Sequence, residues 1–280
     1  MAQINTYSDI QSFVNTIFED ALFVARDNNL MSALVLNFTG QGMAPRKVQQ
    51  YNQGTAKAIG ESDDLTSDAF TPTALSTLTP SEVGLQFFLT DQRLESDPFG
   101  ARDDAARELG LAIADKIESD LLGDLASLTG GTVGTAGSAM SWSYFFAALS
   151  RLRAQKAPRP YYCVLHPYQW HDLATAVTPA GTATNAPEFQ NAAMRDFYVQ
   201  TVAGVQIYVT ANVSIDTSDD AIGAMFSREA LALDMRRAPR LEPERDASRR
   251  GWELNMTAVY AHGVWRPTWG IKIISDATAP

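Results

Sequence analysis

The sequence predicts an α+β chain, on three observations. Ala106, Leu109, Ile113, Ile117, Leu121 and Leu125 recur at three- and four-residue steps, so the middle of the chain holds a long helix. The second half sets short apolar runs between turn residues, the texture of strands in a sheet. Between the N-terminal segment and the helix, Gln41–Pro80 has few large apolar residues and many Gln, Thr, Ser and Asp. At 280 residues the chain is long enough for one large domain or two small ones with a buried core.

Ile10, Phe13, Val14, Ile17, Phe18, Ala21, Leu22 and Ala25 mark an amphipathic helix capped by Ser8 or Asp9. In the polar stretch, Lys47–Lys57 and Phe70–Leu78 alternate and read as the two strands of a long hairpin. So little apolar surface cannot offset the entropy of ordering the segment, so it is either loose or ordered by another subunit. Val83–Thr90 is a strand. Asp97-Pro98 then starts the long helix, with Asp103, Asp104 and Glu108 where the dipole favours acids. Continued to Leu128, it would span roughly 46 Å at 1.5 Å per residue, with Gly110 and Gly123 as mild breaks.

Thr129–Gly137 has four glycines in nine residues, which predicts a flexible hinge at a subdomain boundary rather than a helix or strand. Ser141 caps a helix to about Gln155, Pro160–His166 is a buried strand, Pro167 opens a short helix, and Thr178–Pro187 is a loop. Strands follow at Gln200–Thr210 with a turn at Ala203-Gly204, then at Ala221–Phe226, Ala230–Arg236, Arg240–Glu244, Trp252–His262 and Val264–Ile274.

Charge and composition exclude several functions. The net charge is −10; residues 1–130 hold 8 basic and 19 acidic side chains, residues 131–280 hold 14 and 13. A globally cationic nucleic-acid binder is excluded. The lone Cys163 excludes an intramolecular disulfide and any multi-cysteine metal site, and fits a reducing cytoplasm. No secretory leader is visible, and Leu30–Phe38 and Trp142–Leu149 are too short to span a membrane, so no membrane partner is expected.

No motif carries catalysis. His166 and His171 are five apart, the wrong spacing for two ligands on one helical face, and read as a strand end and a helix surface. Asp216, Asp219 and Asp220 read as a solvated turn, because the glycine and the terminal glutamate of a calcium loop are missing. The glycine stretch is neither a dinucleotide fingerprint nor a P-loop. Cys163 lies in an apolar strand, where thiols are inert. We expect no catalytic residue, cofactor or metal. The remaining signal is arginine: Arg236, Arg237, Arg240, Arg245, Arg249 and Arg250 fall within fifteen positions, interleaved with Glu242, Glu244 and Asp246. Interleaved acids would repel phosphate, whereas Arg–carboxylate forks suit protein contacts, so a subunit interface is favoured over a solvated strand pair.

In this order, the N-terminal helix, the polar hairpin, TPTALSTLTPSEVGLQFFLTD before the long helix, the glycine break, YYCVLHPYQWHDL, GVQIYVTANV and the tail from MFSREALALDMRRAPRLEPERD to WGIKI resemble the major capsid proteins of tailed double-stranded-DNA bacteriophages, of the Hong Kong 97-type fold. The resemblance implies an N-terminal arm at residues 1–38 and an extended E-loop at 39–80. It implies a peripheral domain with the spine helix at 81–136 and 236–263, and an axial domain at 137–235 and 264–280. It further implies a non-enzymatic subunit of an icosahedral capsid, gathering into hexamers and pentamers around packaged DNA that it touches non-specifically. Arg46, Lys47 and Lys57 of the E-loop join the arginine cluster as inter-subunit contact candidates, with the glycine break and the hairpin absorbing hexamer–pentamer and maturation differences.

A separate scaffolding protein, a portal and a decoration protein are expected partners, with assembly in the host bacterial cytoplasm. The type member cross-links an E-loop lysine to an asparagine; no asparagine or assisting acid aligns here, so denatured particles should run as monomers. The competing readings are an encapsulin-type nanocompartment shell, a soluble α+β hydrolase-like enzyme and a minor phage structural protein.

Overall fold

The computed structural model describes residues 30–51, 56–61, 67, 69–96, 100–177 and 200–280. The helix expected over Ile10–Arg26, the Asp97-Pro98 helix start and the Thr178–Pro187 loop lie outside them. Two sheets and a separate ribbon carry the strands. The first sheet has the order β1 (Leu36–Thr39), β10 (Leu231–Asp246), β11 (Gly251–Val264), β4 (Ser81–Thr90). The second runs β5 (Thr132–Gly134), β12 (Gly270–Asp276), β9 (Asp220–Ser227), β6 (Tyr161–Leu165), β8 (Val205–Val209), β7 (Gln200–Val202). The ribbon is β2 (Arg46–Tyr51) paired antiparallel with β3 (Pro72–Leu78), the two strands expected of the polar hairpin.

A short helix α1 (Met31–Leu34) precedes β1, and α2 (Asp91–Ser96) follows β4. The long helix is α3 (Gly100–Gly123), which tightens to a 3-10 turn over Asp124–Ser127 instead of running on to Leu128 as α-helix. There Leu128 N donates to Leu125 O, and Thr129 N is taken by Pro267 O. Its stripe is buried as expected: Leu109, Ile113, Ile117, Leu121 and Leu125 pack with Leu254, Met256, Ala258 and Tyr260 of β11. The same core reaches Tyr162, Val164 and Phe226 of the second sheet. A second core lies on that sheet's other face, where α4 (Trp142–Ala154) sets Phe145, Ala148, Leu149 and Leu152 over Cys163, Leu165, Ile271 and Ile273. Strand β6 therefore alternates between two cores, which is why all five of its residues are apolar and buried. It leads into α5 (Pro167–Val177).

Three expectations are corrected. Ala230–Arg236 and Arg240–Glu244 are one sixteen-residue strand, β10, entered by a 3-10 turn at Arg228–Ala230. Around Pro239, which has no N–H to give the ladder, the register shifts but pairing with β11 keeps the chain extended. The last strand begins at Gly270, not Val264. Chain reversal is held by Trp265 N and Arg266 N, both donating to Ala230 O, and by a 3-10 turn at Pro267–Trp269.

The third correction concerns TGGTVGTAG, which contains strand β5, parallel to β12. A Cβ on Gly130 would sit 2.4 Å from Thr268 O, and one on Gly134, at φ +89°, 2.1 Å from Ile274 O. These glycines serve close backbone approach. Strand β5, before the division expected at 136, thus adds to the second sheet; β1 spans the division at 38, and β10 starts ahead of 236.

Candidate inter-subunit surfaces

The ribbon leaves the first sheet from a built base. Leu78 is buried with Ala232 and Ala261, against Phe38 and Trp265. Beside it, the fully buried Asp234 carboxylate accepts from Arg46 Nε at 2.7 Å and from Arg236 Nη2 and Nε at 2.8 and 3.1 Å. Arg236 also donates to Gln41 O, Arg46 to Thr39 O, and the Arg46 guanidinium lies over the Phe38 ring. Asp234 thus fastens the hairpin to the sheet within one chain, with geometry suited to planar guanidinium forks.

The rest of the arginine cluster divides along the sheet. On the face away from α3, Arg237 bonds Glu82 and Thr257, Arg240 bonds Glu242, and Arg249, over the Phe88 ring, reaches Glu253, which also accepts from Gln86. Glu244 is exposed there, opposite Glu253. At the sheet's end, Arg245 makes a two-point fork to Asp91 and lies over Trp252. That fork holds the Asp91 carboxyl below the usual carboxylate range. Asp246 closes the β10–β11 turn by accepting from Ser248 N and Arg249 N, and Arg250, exposed at φ +50°, gives its carbonyl to Asp91 N. Most of the predicted forks therefore close within the chain as cross-strand and same-strand pairs. Lys47 and Lys57 are exposed on the hairpin, together with Met43, Ile59 and Phe70, which are 56%, 54% and 73% exposed.

One cluster escaped the sequence reading. His262, on the α3-facing side of β11, has Nδ1 2.8 Å from Asp124 Oδ2 and Nε2 3.7 Å from Asp120 Oδ2. Tyr260 donates its hydroxyl to Asp120, which also takes the Lys116 ammonium. The Asp124 carboxylate holds His262 above the ordinary imidazole range. The visible signal was a histidine in phase with Leu254, Met256, Ala258 and Tyr260. Gln169, fully buried, was also missed; it ties Ala221 O and Ser275 Oγ to His166 N.

The weaker candidates take their bland roles. His166 ends β6 and accepts from Tyr168 N through Nδ1, while burial lowers its pKa. His171 lies exposed on α5 beside Asp172. Asp216 closes a turn through Ser218 N and Asp220 N. Burial pushes the Cys163 thiol up, so it is inert at neutral pH. Among the described residues, no group of acids, histidines and cysteine is arranged to hold a metal ion, and no helix is long and apolar enough to cross a membrane.

The family described as phage capsid protein matches residues 74–273. No curated protein matches the sequence. Among solved structures, the capsid of Ralstonia phage GP4 aligns with a TM-score of 0.70 at 11% identity, covering 88% of each chain. The capsid of cyanophage P-SCSP1u aligns at 0.68 with 15% identity, covering 88% of this chain and 87% of the other. A virus-like particle from Pyrococcus furiosus aligns at 0.62 with 12% identity, covering 93% of this chain and 99% of the other.

Proposed function

The chain belongs to the phage capsid protein family and has the Hong Kong 97-type fold, a structural capsid subunit and not an enzyme, and on that premise we propose that it builds an icosahedral shell of hexamers and pentamers around packaged double-stranded DNA. The observation that carries this reading is the hairpin. Its root is clamped by Asp234, yet Met43, Ile59 and Phe70 stay in water. Apolar groups held out on a fixed polar ribbon suit burial against a neighbouring subunit.

In this reading residues 81–136 and 236–263 are the peripheral domain, which holds α3 and most of the first sheet, residues 137–235 and 264–280 are the axial domain, which holds α4, α5 and most of the second sheet, residues 1–38 are the arm and 39–80 the E-loop. A separate scaffolding protein directs assembly in the host cytoplasm, a portal and a decoration protein complete the particle, and the net charge of −10 lets DNA enter without sticking.

The test is negative-stain microscopy with mass photometry of the full chain and of a variant in which a short Gly-Asn turn replaces residues 47–77. That deletion spares Arg46 and Leu78, so the variant should fold and stay unassembled while the full chain, with its scaffold, closes shells. Normal shells from the shortened chain would remove the hairpin from assembly. The likeness to a virus-like particle from Pyrococcus furiosus keeps a second reading, a shell that needs no phage machinery; closed particles from the chain expressed alone would select it.

A further inference from the structure

We propose that one end of the second sheet is a contact surface for the backbone phosphates of packaged double-stranded DNA; the proposal rests on the shell reading and deepens it by naming the part of the chain that meets the cargo. Strand direction defines that end. Strands β5, β12, β6 and β8 start there and β9 and β7 finish there, because Thr132 lies opposite Lys272, Gly270 opposite Phe226, Tyr161 opposite Ser227 and Val205, and Val202 opposite Val205. Helix α4 ends there too, since Gln155 Nε2 donates to Gly130 O just ahead of β5.

An arginine stands at each strand along this end. Arg151 donates to Thr132 O at the start of β5, and Arg266 lies over the Trp269 ring ahead of β12. Arg228 follows β9 and donates to Val35 O, and Arg159 precedes β6 beside the Tyr161 ring. Arg153 donates to Ala203 O in the β7–β8 turn, and Lys156 stands between α4 and β6. All six are exposed except Arg266, which is half-buried. At about 4.8 Å per strand the row is roughly 20 Å long.

These cations lack the carboxylates that close the other arginines. Among the described residues, none of the six makes an ion pair, and Glu229 is the one acid in the loops of this end. On the first sheet, Arg237, Arg240, Arg245 and Arg249 are each closed on a carboxylate. The opposite end of the second sheet has the reverse sign: Asp172, Asp216, Asp219, Asp220 and Asp276 gather there, with no lysine or arginine among the described residues. Backbone carbonyls and ring faces orient the guanidinium groups without neutralising them, which leaves their charge for an outside anion.

The surroundings favour a nucleic acid over a protein. A stable protein contact has an apolar centre. The large exposed apolar side chains are Met43, Ile59, Phe70, Phe146, Ile215 and Ile222, and none belongs to these loops. What is exposed between the cations is small: Pro160, Ala203, Gly204 and Thr268. Arginine presents a planar fork that matches phosphate and keeps its charge at any physiological pH. About 20 Å of duplex axis offers about six phosphates on one strand, at 3.4 Å each, so the row matches the spacing of its ligand. A local row on a chain of net charge −10 holds DNA at one face and repels it elsewhere.

The experiment measures binding of the unassembled full chain to a duplex of about 30 base pairs by fluorescence anisotropy, between about 50 and 200 mM salt. Six phosphate contacts at about −0.9 each predict a slope of about −5 in log affinity against log salt. Lys156→Gln with Arg159→Gln removes two contacts and should flatten the slope by about 2. Arg240→Gln with Arg249→Gln lowers the net charge equally and should leave the slope unchanged. Equal flattening by both pairs, or no duplex binding by the full chain at about 50 mM salt, would overturn the surface and leave the shell reading intact. Carboxyl-to-amine cross-linking of assembled particles that joins Lys156 to an acid of another copy would make this end a subunit contact and overturn the proposal. A full chain that binds duplex through this end but forms no ring or shell even with its scaffold would overturn the shell reading, and with it packaged DNA as the occupant.

Discussion

Asp234 is where the hairpin's attachment is most sharply exposed to test. Asp234→Ala removes a fully buried carboxylate that takes three short guanidinium bonds, from Arg46 at 2.7 Å and Arg236 at 2.8 and 3.1 Å. Deleting one side of a buried ion pair costs about 3–5 kcal/mol, because the charge left behind is desolvated and unpaired. The two arginines differ in how they escape. The Arg46 side chain is 31% exposed and can turn to water, whereas that of Arg236 is 9% exposed and keeps only Gln41 O. The loss should therefore fall near the low end, about 3 kcal/mol. Asp234→Asn keeps one acceptor in the same shape and should lose about 1–2 kcal/mol. The assay is equilibrium urea unfolding of the unassembled chain, in which the midpoint falls at unchanged slope. Exchange along residues 46–51 should rise with it, since the clamp holds the start of β2. A loss below about 1 kcal/mol for Asp234→Ala would refute the clamp.

Three further outcomes follow from the cores. His262 faces Asp124, Asp120, Lys116 and Tyr260, and Asp124 raises its pKa. A raised folded pKa gives stability that is full below the unfolded value of about 6.5 and is lost as pH rises through the folded value. The urea midpoint gap between the wild type and His262→Gln should therefore be wider at pH 5.5 than at pH 8.5, and an equal gap at both would sink the pairing. Gly134→Ala forces a side chain onto Ile274 O at φ +89° and should lower the midpoint by more than about 1 kcal/mol of stability, whereas a true hinge would tolerate it. Gln169→Leu strands the His166 N–H and frees two other partners in a dry site, for a loss of about 2–4 kcal/mol in the same assay.

What was legible in the sequence was what local periodicity writes. The α3 stripe, the β6 run buried on both faces and the polar alternation of the hairpin each state their environment within a dozen residues. What failed depended on residues far along the chain. TGGTVGTAG reads as a hinge because the backbone atoms that demand its glycines, at Thr268, Gly270 and Ile274, lie more than a hundred positions away. Pro239 reads as a strand break because the partner that keeps β10 extended is β11. The acids that hold His262 sit on α3, so sequence shows an isolated histidine. The arginine cluster was visible, but that several of its carboxylate partners lie across the strand pair or on β4 and α2 was not.

That reassignment changes where contacts between copies have to be sought. A guanidinium already forked to a carboxylate has little left to offer a neighbour, so the closed pairs Arg237–Glu82, Arg240–Glu242 and Arg245–Asp91 chiefly stiffen the sheet. The glycine segment is fixed by β12 and by Gln155, whose amide donates to Gly130 O, so it is not a free hinge. In the proposed shell, adjustment between copies would fall to the hairpin beyond Arg46 and Leu78, which holds Ile59 and Phe70 in water from a rigid root. In the proposed shell, the body would set the curvature, and the limb would bend beyond its clamped root, leaving both cores undisturbed.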